Sequence, residues 1–201
     1  MENIAALVVA TFILVLIPGP NAALTVANTL QHGLRAGFIT VLGTTAGIAV
    51  QLALVTAGLS ALIQAAASAL TWIKWLGVIY LLYLAISTWR RPAANLADTD
   101  PEPEGRIFRR GVLLAVVNPK VLLFNAAFLP QFVSVNGDPR VQLLLVAGVF
   151  LAVILLGDLL WALFASSARV ALAKFSHLRN KMTAVFLFGA SLGLALTKRN
   201  A

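Results

Sequence analysis

Lys120 and Asp158 are the two charges that fall well inside the long apolar runs of this 201-residue chain. At the centre of a lone membrane helix each would cost about 3 kcal/mol, so both need partners. Two readings stay open: the pair neutralises itself as a structural bridge, or Lys120 holds a carboxylate while Asp158 receives an ammonium group or a coupling proton. Helix breakers sit in the same runs. LIPGPNAAL places Pro18, Gly19 and Pro20 ahead of Asn21, and a second break falls at Asn118-Pro119, directly before Lys120. Proline removes a hydrogen bond from a helix interior but costs nothing at the first helical position. Each break therefore reads as a fresh helix start, with Gly19 the N-cap before Pro20 and Asn118 the N-cap before Pro119. Such a start offers unpaired N–H groups and about half a positive charge, which suits a carboxylate guest.

The polar residues around the breaks repeat at helical spacing. Asn21, Thr25 and Asn28 share one face, and Thr40, Thr44, Gly47 and Gln51 share another. These stripes are expected either to face each other across a cavity or to join two helices, since Thr, Asn and Gly are what membrane helix contacts use and Gly43-x-x-x-Gly47 fits close packing. On an unbroken helix Lys120 would point about 160° away from Asn118 and Asn125, so one cavity gathers all three only where the backbone unwinds. The expected substrate-binding set is Pro18, Gly19, Pro20, Asn21, Thr25, Thr44, Gln51, Asn118, Pro119, Lys120 and Asn125, with Asp158 as the proton or ammonium site.

These residues need a membrane scaffold. The chain is 60% hydrophobic and 11% charged, with a mean hydropathy of +0.93, far from the quarter charged of soluble domains. Apolar runs fit to cross a ~30 Å core occur at 4–30, 38–63, 70–89, 111–133, 141–165 and 183–196. The first lacks a basic n-region and a small-residue cleavage site, so it is expected to remain a span. There is no cysteine, which excludes disulfides and thiolate metal sites, and His32 and His177 fall in expected loops, so neither a metal nor a cofactor is expected. The net charge of +8 flanks the apolar runs instead of forming a patch, which argues for topology and against nucleic acid.

The expected fold is an all-α membrane protein of six transmembrane helices. Arg35 lies in the first loop, Arg90, Arg91, Arg106, Arg109 and Arg110 in the third, and Arg169, Lys174, Arg179 and Lys181 in the fifth. The positive-inside rule makes those loops cytoplasmic and both termini external. Trp72, Trp75 and Trp89 bracket the third span as interfacial anchors, and residues 166–181 read as an interfacial helix. Residues 92–105, acidic and proline-rich, read as a cytoplasmic linker between a first three-helix repeat at 1–91 and a second at 106–201. An odd number of spans per repeat inverts the second relative to the first, and the first helix of each is broken at proline. Discontinuous helices at matching places in inverted repeats point to a transporter's midplane site, with one repeat moving against the other.

With these residues in place the sequence resembles the lysine exporter (LysE/RhtB) family of amino-acid efflux proteins, nearest its homoserine/threonine branch. The resemblance rests on Pro18-Gly19-Pro20-Asn21, Gly33-Leu34-Arg35-Ala36-Gly37 with Gly43 and Gly47, and Lys74-Trp75-x-Gly77-x-x-Tyr80-Leu81. It continues through Asn118-Pro119-Lys120, Leu129-Pro130-Gln131-Phe132 and Asp158. It implies a secondary transporter of the bacterial inner membrane, driven by the proton-motive force, that exports a small amino acid or derivative of homoserine, threonine, leucine or homoserine lactone type. Its partners would be that substrate, protons and the lipid bilayer, and a homo-oligomer is compatible with it. Gln51 departs from the family pattern, where histidine is common, so a proton relay there is not expected. The rival readings are a lipid-modifying membrane enzyme, for which the chain lacks a nucleophile with its base, and an assembly subunit, which needs no substrate-sized cavity.

Overall fold

Long apolar stretches interrupted by proline and glycine form long helices with short breaks. The computed structural model describes residues 2–54, 102–127, 129–132, 139–171 and 176–196, with scattered helical positions between 75 and 90. The helices are α1 (Glu2–Leu16), α2 (Pro20–His32), α3 (Leu34–Leu54), α4 (Glu104–Val116), α5 (Pro119–Ala127), α6 (Pro139–Ala171) and α7 (Ser176–Leu196), with a 3-10 turn at Leu129–Phe132. The described residues contain no strand. Helix α3 and Val141–Val170 of α6 are long and apolar enough to cross a membrane, and Ile4–Leu16 with Pro20–His32 makes a third crossing bent by 55°. Most of the expected third span and of the linker lies outside the described residues.

Two boundaries differ from expectation. Glu104 and Gly105 begin α4 instead of ending the linker, because Pro103 precedes them as its N-cap and Glu104 suits a positive helix start. The interfacial helix expected at 166–181 is divided: 166–171 continue α6, and 176–181 begin α7. At 33 residues α6 runs about 50 Å, well beyond the hydrocarbon core, so its basic last turn with Arg169 reaches the polar zone without a separate helix.

Packing ties the helices around the breaks. Leu7 and Val15 of α1, Ile48 and Leu52 of α3, Ala115 of α4, Val121 and Phe124 of α5, and Val146, Phe150 and Ile154 of α6 share one core. Phe124 and Phe150 stack there at 5.3 Å. A second cluster sets Leu187 and Ala190 of α7 against Ala23 and Ala27 of α2 and against Val78 and Ala85. The largest interface joins α3 to α4. It is a backbone contact: a Cβ on Gly43 would lie 2.4 Å from the Phe108 carbonyl oxygen, and one on Gly47 2.5 Å from that of Val112. The opposite surfaces expose Phe12, Ile13, Leu42, Leu113, Leu144, Phe164 and Val185, the apolar exterior that a lipid-facing bundle carries.

Gly33 is the single residue that joins α2 to α3 along the chain, and its φ of +92° is one that side chains disfavour. The Arg169 guanidinium packs over this glycine, and its Nε donates to the Leu30 carbonyl at 3.2 Å. On the same face Arg35 pairs with Glu104 at 2.7 Å, while Glu102 meets Arg110 at 2.7 Å and His32 at 3.9 Å. Basic residues from the first, third and fifth expected loops thus occupy one end of the molecule.

Candidate functional site at the two helix breaks

The first break leaves Ile17, Pro18 and Gly19 between α1 and α2. Gly19 is extended (φ −122°, ψ −170°), and its carbonyl accepts the first bond of α2 from the Ala23 N–H at 2.9 Å. Pro20 is the first helical residue, as its missing N–H favours. At the second break Asn118 caps α5: its Oδ1 accepts from the Lys120 N–H at 3.1 Å, and its carbonyl accepts from the Leu122 N–H at 3.0 Å. Both helix starts therefore stand where the prolines place them. They also touch, because Asn118 Nδ2 donates to Asn21 Oδ1 at 2.9 Å.

Each break leaves carbonyls at the end of the preceding helix without intrahelical donors. Those of α1 are collected from elsewhere in the fold. Lys120 Nζ donates to the Leu14 carbonyl at 2.6 Å and also to that of Ile17, and Trp161 Nε1 donates to Val15 at 3.2 Å. Those of α4 are collected by Gln51, whose Nε2 lies 2.8 Å from the Ala115 and Val116 oxygens and 3.3 Å from that of Asn118. The backbone carbonyls and Trp161 were not foreseen as part of the site. The breaks themselves carried that signal, because every helix end needs donors.

Between the starts lies a cavity of about 30 Å³ lined by Leu14, Val15, Ile17, Gly19, Asn21, Ala22, Asn118, Lys120, Val121, Ile154 and Asp158. Water-sized guests fit such a space and an amino acid does not. Asp158 is 5% exposed, and its Oδ2 has no hydrogen-bond partner. No salt bridge within 4 Å joins it to Lys120, which is engaged with carbonyls, while the Thr44 hydroxyl lies beside the Asp158 carboxyl. Of the expected site residues, Gly19, Asn21, Asn118, Lys120 and Asp158 come together here.

Of the others, Thr44 reaches Asp158 from behind the lining, and the rest do not line this cavity. Pro18 is exposed beside the break, whereas Pro20 and Pro119 are buried in the helix starts. Thr25 and Asn125 are fully buried, with the Thr25 hydroxyl and both polar atoms of the Asn125 side chain unpartnered. Asn125 misses the cavity because the break brings only Asn118 and Lys120 round to it. The two polar stripes do face each other, and they touch: Asn28 Nδ2 donates to Thr40 Oγ1 at 2.8 Å. Thr29, Thr40 and Thr44 return their hydroxyls to carbonyls of their own helices, which lets the backbones close up.

The sequence matches the LysE type translocator family over residues 12–197. The chain belongs to the LysE translocator family. Among its relatives, the homoserine/homoserine lactone efflux protein of Salmonella typhimurium is 33% identical over 141 residues, covering 68% of this chain and 67% of the relative. The leucine efflux protein of Enterobacter sp. (strain 638) is 34% identical over 139 residues, covering 67% and 65%. The membrane protein YrhP of Bacillus subtilis is 29% identical over 210 residues, covering 97% and all of the relative. No solved structure matches this translocator.

Proposed function

We propose that this translocator exports a small amino acid or derivative, of homoserine, threonine, leucine or homoserine lactone type, across the bacterial inner membrane in exchange for protons. Six spans in two inverted three-helix repeats carry it, the first at 1–91 and the second beginning with α4, with the residues between them as a cytoplasmic linker. The observation that supports this reading most is the Asn118–Asn21 bond, which brings two helix N-termini to one buried place. Two positive helix ends favour a carboxylate between Pro20 and Pro119. The unpartnered oxygen of Asp158 is the natural acceptor of an ammonium group or of the coupling proton. The small cavity fits a carrier closed around its site between loading and release.

The named relatives bear on recognition. Homoserine and its lactone differ in the carboxylate and share the α-ammonium, so a carrier accepting both must take its common grip on the ammonium. In this reading Asp158 is the group that takes the ammonium.

Asp158→Asn is expected to abolish proton-driven efflux of the cargo from loaded proteoliposomes while the protein still inserts in the membrane. Undiminished, pH-gradient-dependent efflux in that variant would remove Asp158 from the coupling.

A further inference from the structure

We propose that the end of α1 is a cation subsite which the protein fills with its own Lys120 when empty, and which the substrate's α-ammonium takes over during transport. This rests on the exporter reading above and adds to it the partner of the ammonium and the reason for an intramembrane lysine. The Leu14 and Ile17 carbonyls accept from Lys120 Nζ, and these groups line the same cavity as Asp158, whose Oδ2 is unpartnered. Carbonyl oxygens at a helix C-terminus are acceptors with a partial negative charge, so their guest must be a cationic donor. A lysine side chain and an α-amino acid present the same primary ammonium to them.

The lysine is placed to leave. Its stem crosses Gly19, where even a Cβ would lie 3.1 Å from Lys120 Cδ, and it reaches the carbonyls from the cavity wall. A substrate ammonium that settles between these carbonyls and Asp158 displaces the Lys120 ammonium from them. After release it returns, so the empty carrier is not left with bare carbonyls at membrane depth. Lys120 is in these terms a positioning residue that stands in for the cargo.

Two modes of transport separate this role from a static one. Net efflux requires the carrier to reorient empty, whereas exchange of labelled for unlabelled substrate is completed by loaded carriers alone. The 201 residues include no cysteine, so K120C introduces a unique thiol among them. In proteoliposomes, K120C is expected to lower net efflux about tenfold or more, as losing a charge-assisted bond from the empty state implies, while saturating exchange stays within about threefold. Aminoethyl methanethiosulfonate, which restores a tethered ammonium, should return net efflux towards wild type; methyl methanethiosulfonate should not. Poor recovery of folded K120C should be corrected by purifying it in saturating substrate. The subsite is overturned if both modes fall together, if neither falls, if the methyl reagent restores efflux equally, or if substrate fails to recover the folded variant. A wild-type protein inert in both modes towards every amino acid tried overturns the exporter reading itself, a result distinct from a wild type that exchanges and a variant that shows no split.

Discussion

The two breaks solve one problem with different chemistry. At the second, carbonyls of Ala115, Val116 and Asn118 converge on the neutral, buried amide of Gln51. At the first, Leu14 and Ile17 are held by a charged lysine on the cavity wall, with Trp161 taking Val15. The donors cross over: Gln51, from α3, serves the second break, while Lys120 and Trp161, from α5 and α6, serve the first. Their surroundings differ in the same sense. Helix α4 lies against α3 through glycines and backbone, whereas Gly157 of α6 receives the side chain of Val15 from α1, where a Cβ would come within 2.2 Å of Cγ1. The second break is thus fixed in place by backbone contact and a neutral amide, and the first is the one whose partners can exchange.

The sharpest way to break that contrast is at Gln51. Gln51→Leu strips the Val116 carbonyl of its donor and leaves those of Ala115 and Asn118 with one backbone donor each, and a loss of about 2 kcal/mol is expected in detergent unfolding, with exchange and net efflux falling together. Gln51→His, which keeps one N–H donor, should recover part of the stability; an unchanged melting curve for the leucine variant would mean that the amide caps nothing. Of like size is Asn118→Ala, which removes both a helix cap and the bond to Asn21 and is expected to cost about 2 kcal/mol. Asn21→Ala loses only the shared bond, about 1 kcal/mol, and a double-mutant cycle should show the two substitutions to be less than additive. Additivity would dissolve the link between the breaks. The smallest change in stability belongs to Gly19→Ala, at most about 1 kcal/mol, because the extended backbone accepts alanine and the lysine stem can shift. Its effect should appear as a lowered ratio of net efflux to exchange, and an unaltered ratio would show that the stem has room to spare.

Much of this arrangement is legible in the sequence because proline and glycine act locally. Pro20 and Asn118-Pro119 announce helix starts without knowledge of the fold, and Gly43-x-x-x-Gly47 announces a close approach, though not that its partner is the backbone of Phe108 and Val112. The facing of the two polar stripes follows from helical spacing. Their direct contact does not, because it depends on threonine hydroxyls returning to carbonyls of their own helices. Lys120 is the instructive case. Its need for a partner is evident from hydropathy, but sequence offers side chains as candidates, and the partners are main-chain oxygens more than a hundred residues away. The same limit hides the cluster of Glu102 with His32 and Arg110, since the end of an acidic linker reads as solvated until folding sets it beside the α2–α3 turn.

The glycine seam between α3 and α4 has a mechanical meaning. It sets α3 and α4 main chain against main chain at Gly43, Gly47 and Gly111, with the Ala115 methyl and the Gln51 amide closing the seam near the second break. On the two-repeat exporter reading proposed above, rocking one whole repeat over the other would have to part those backbones. That reading is better served by a short lever, the end of α1 swinging at residues 17–19, with α3 and α4 held together as its frame.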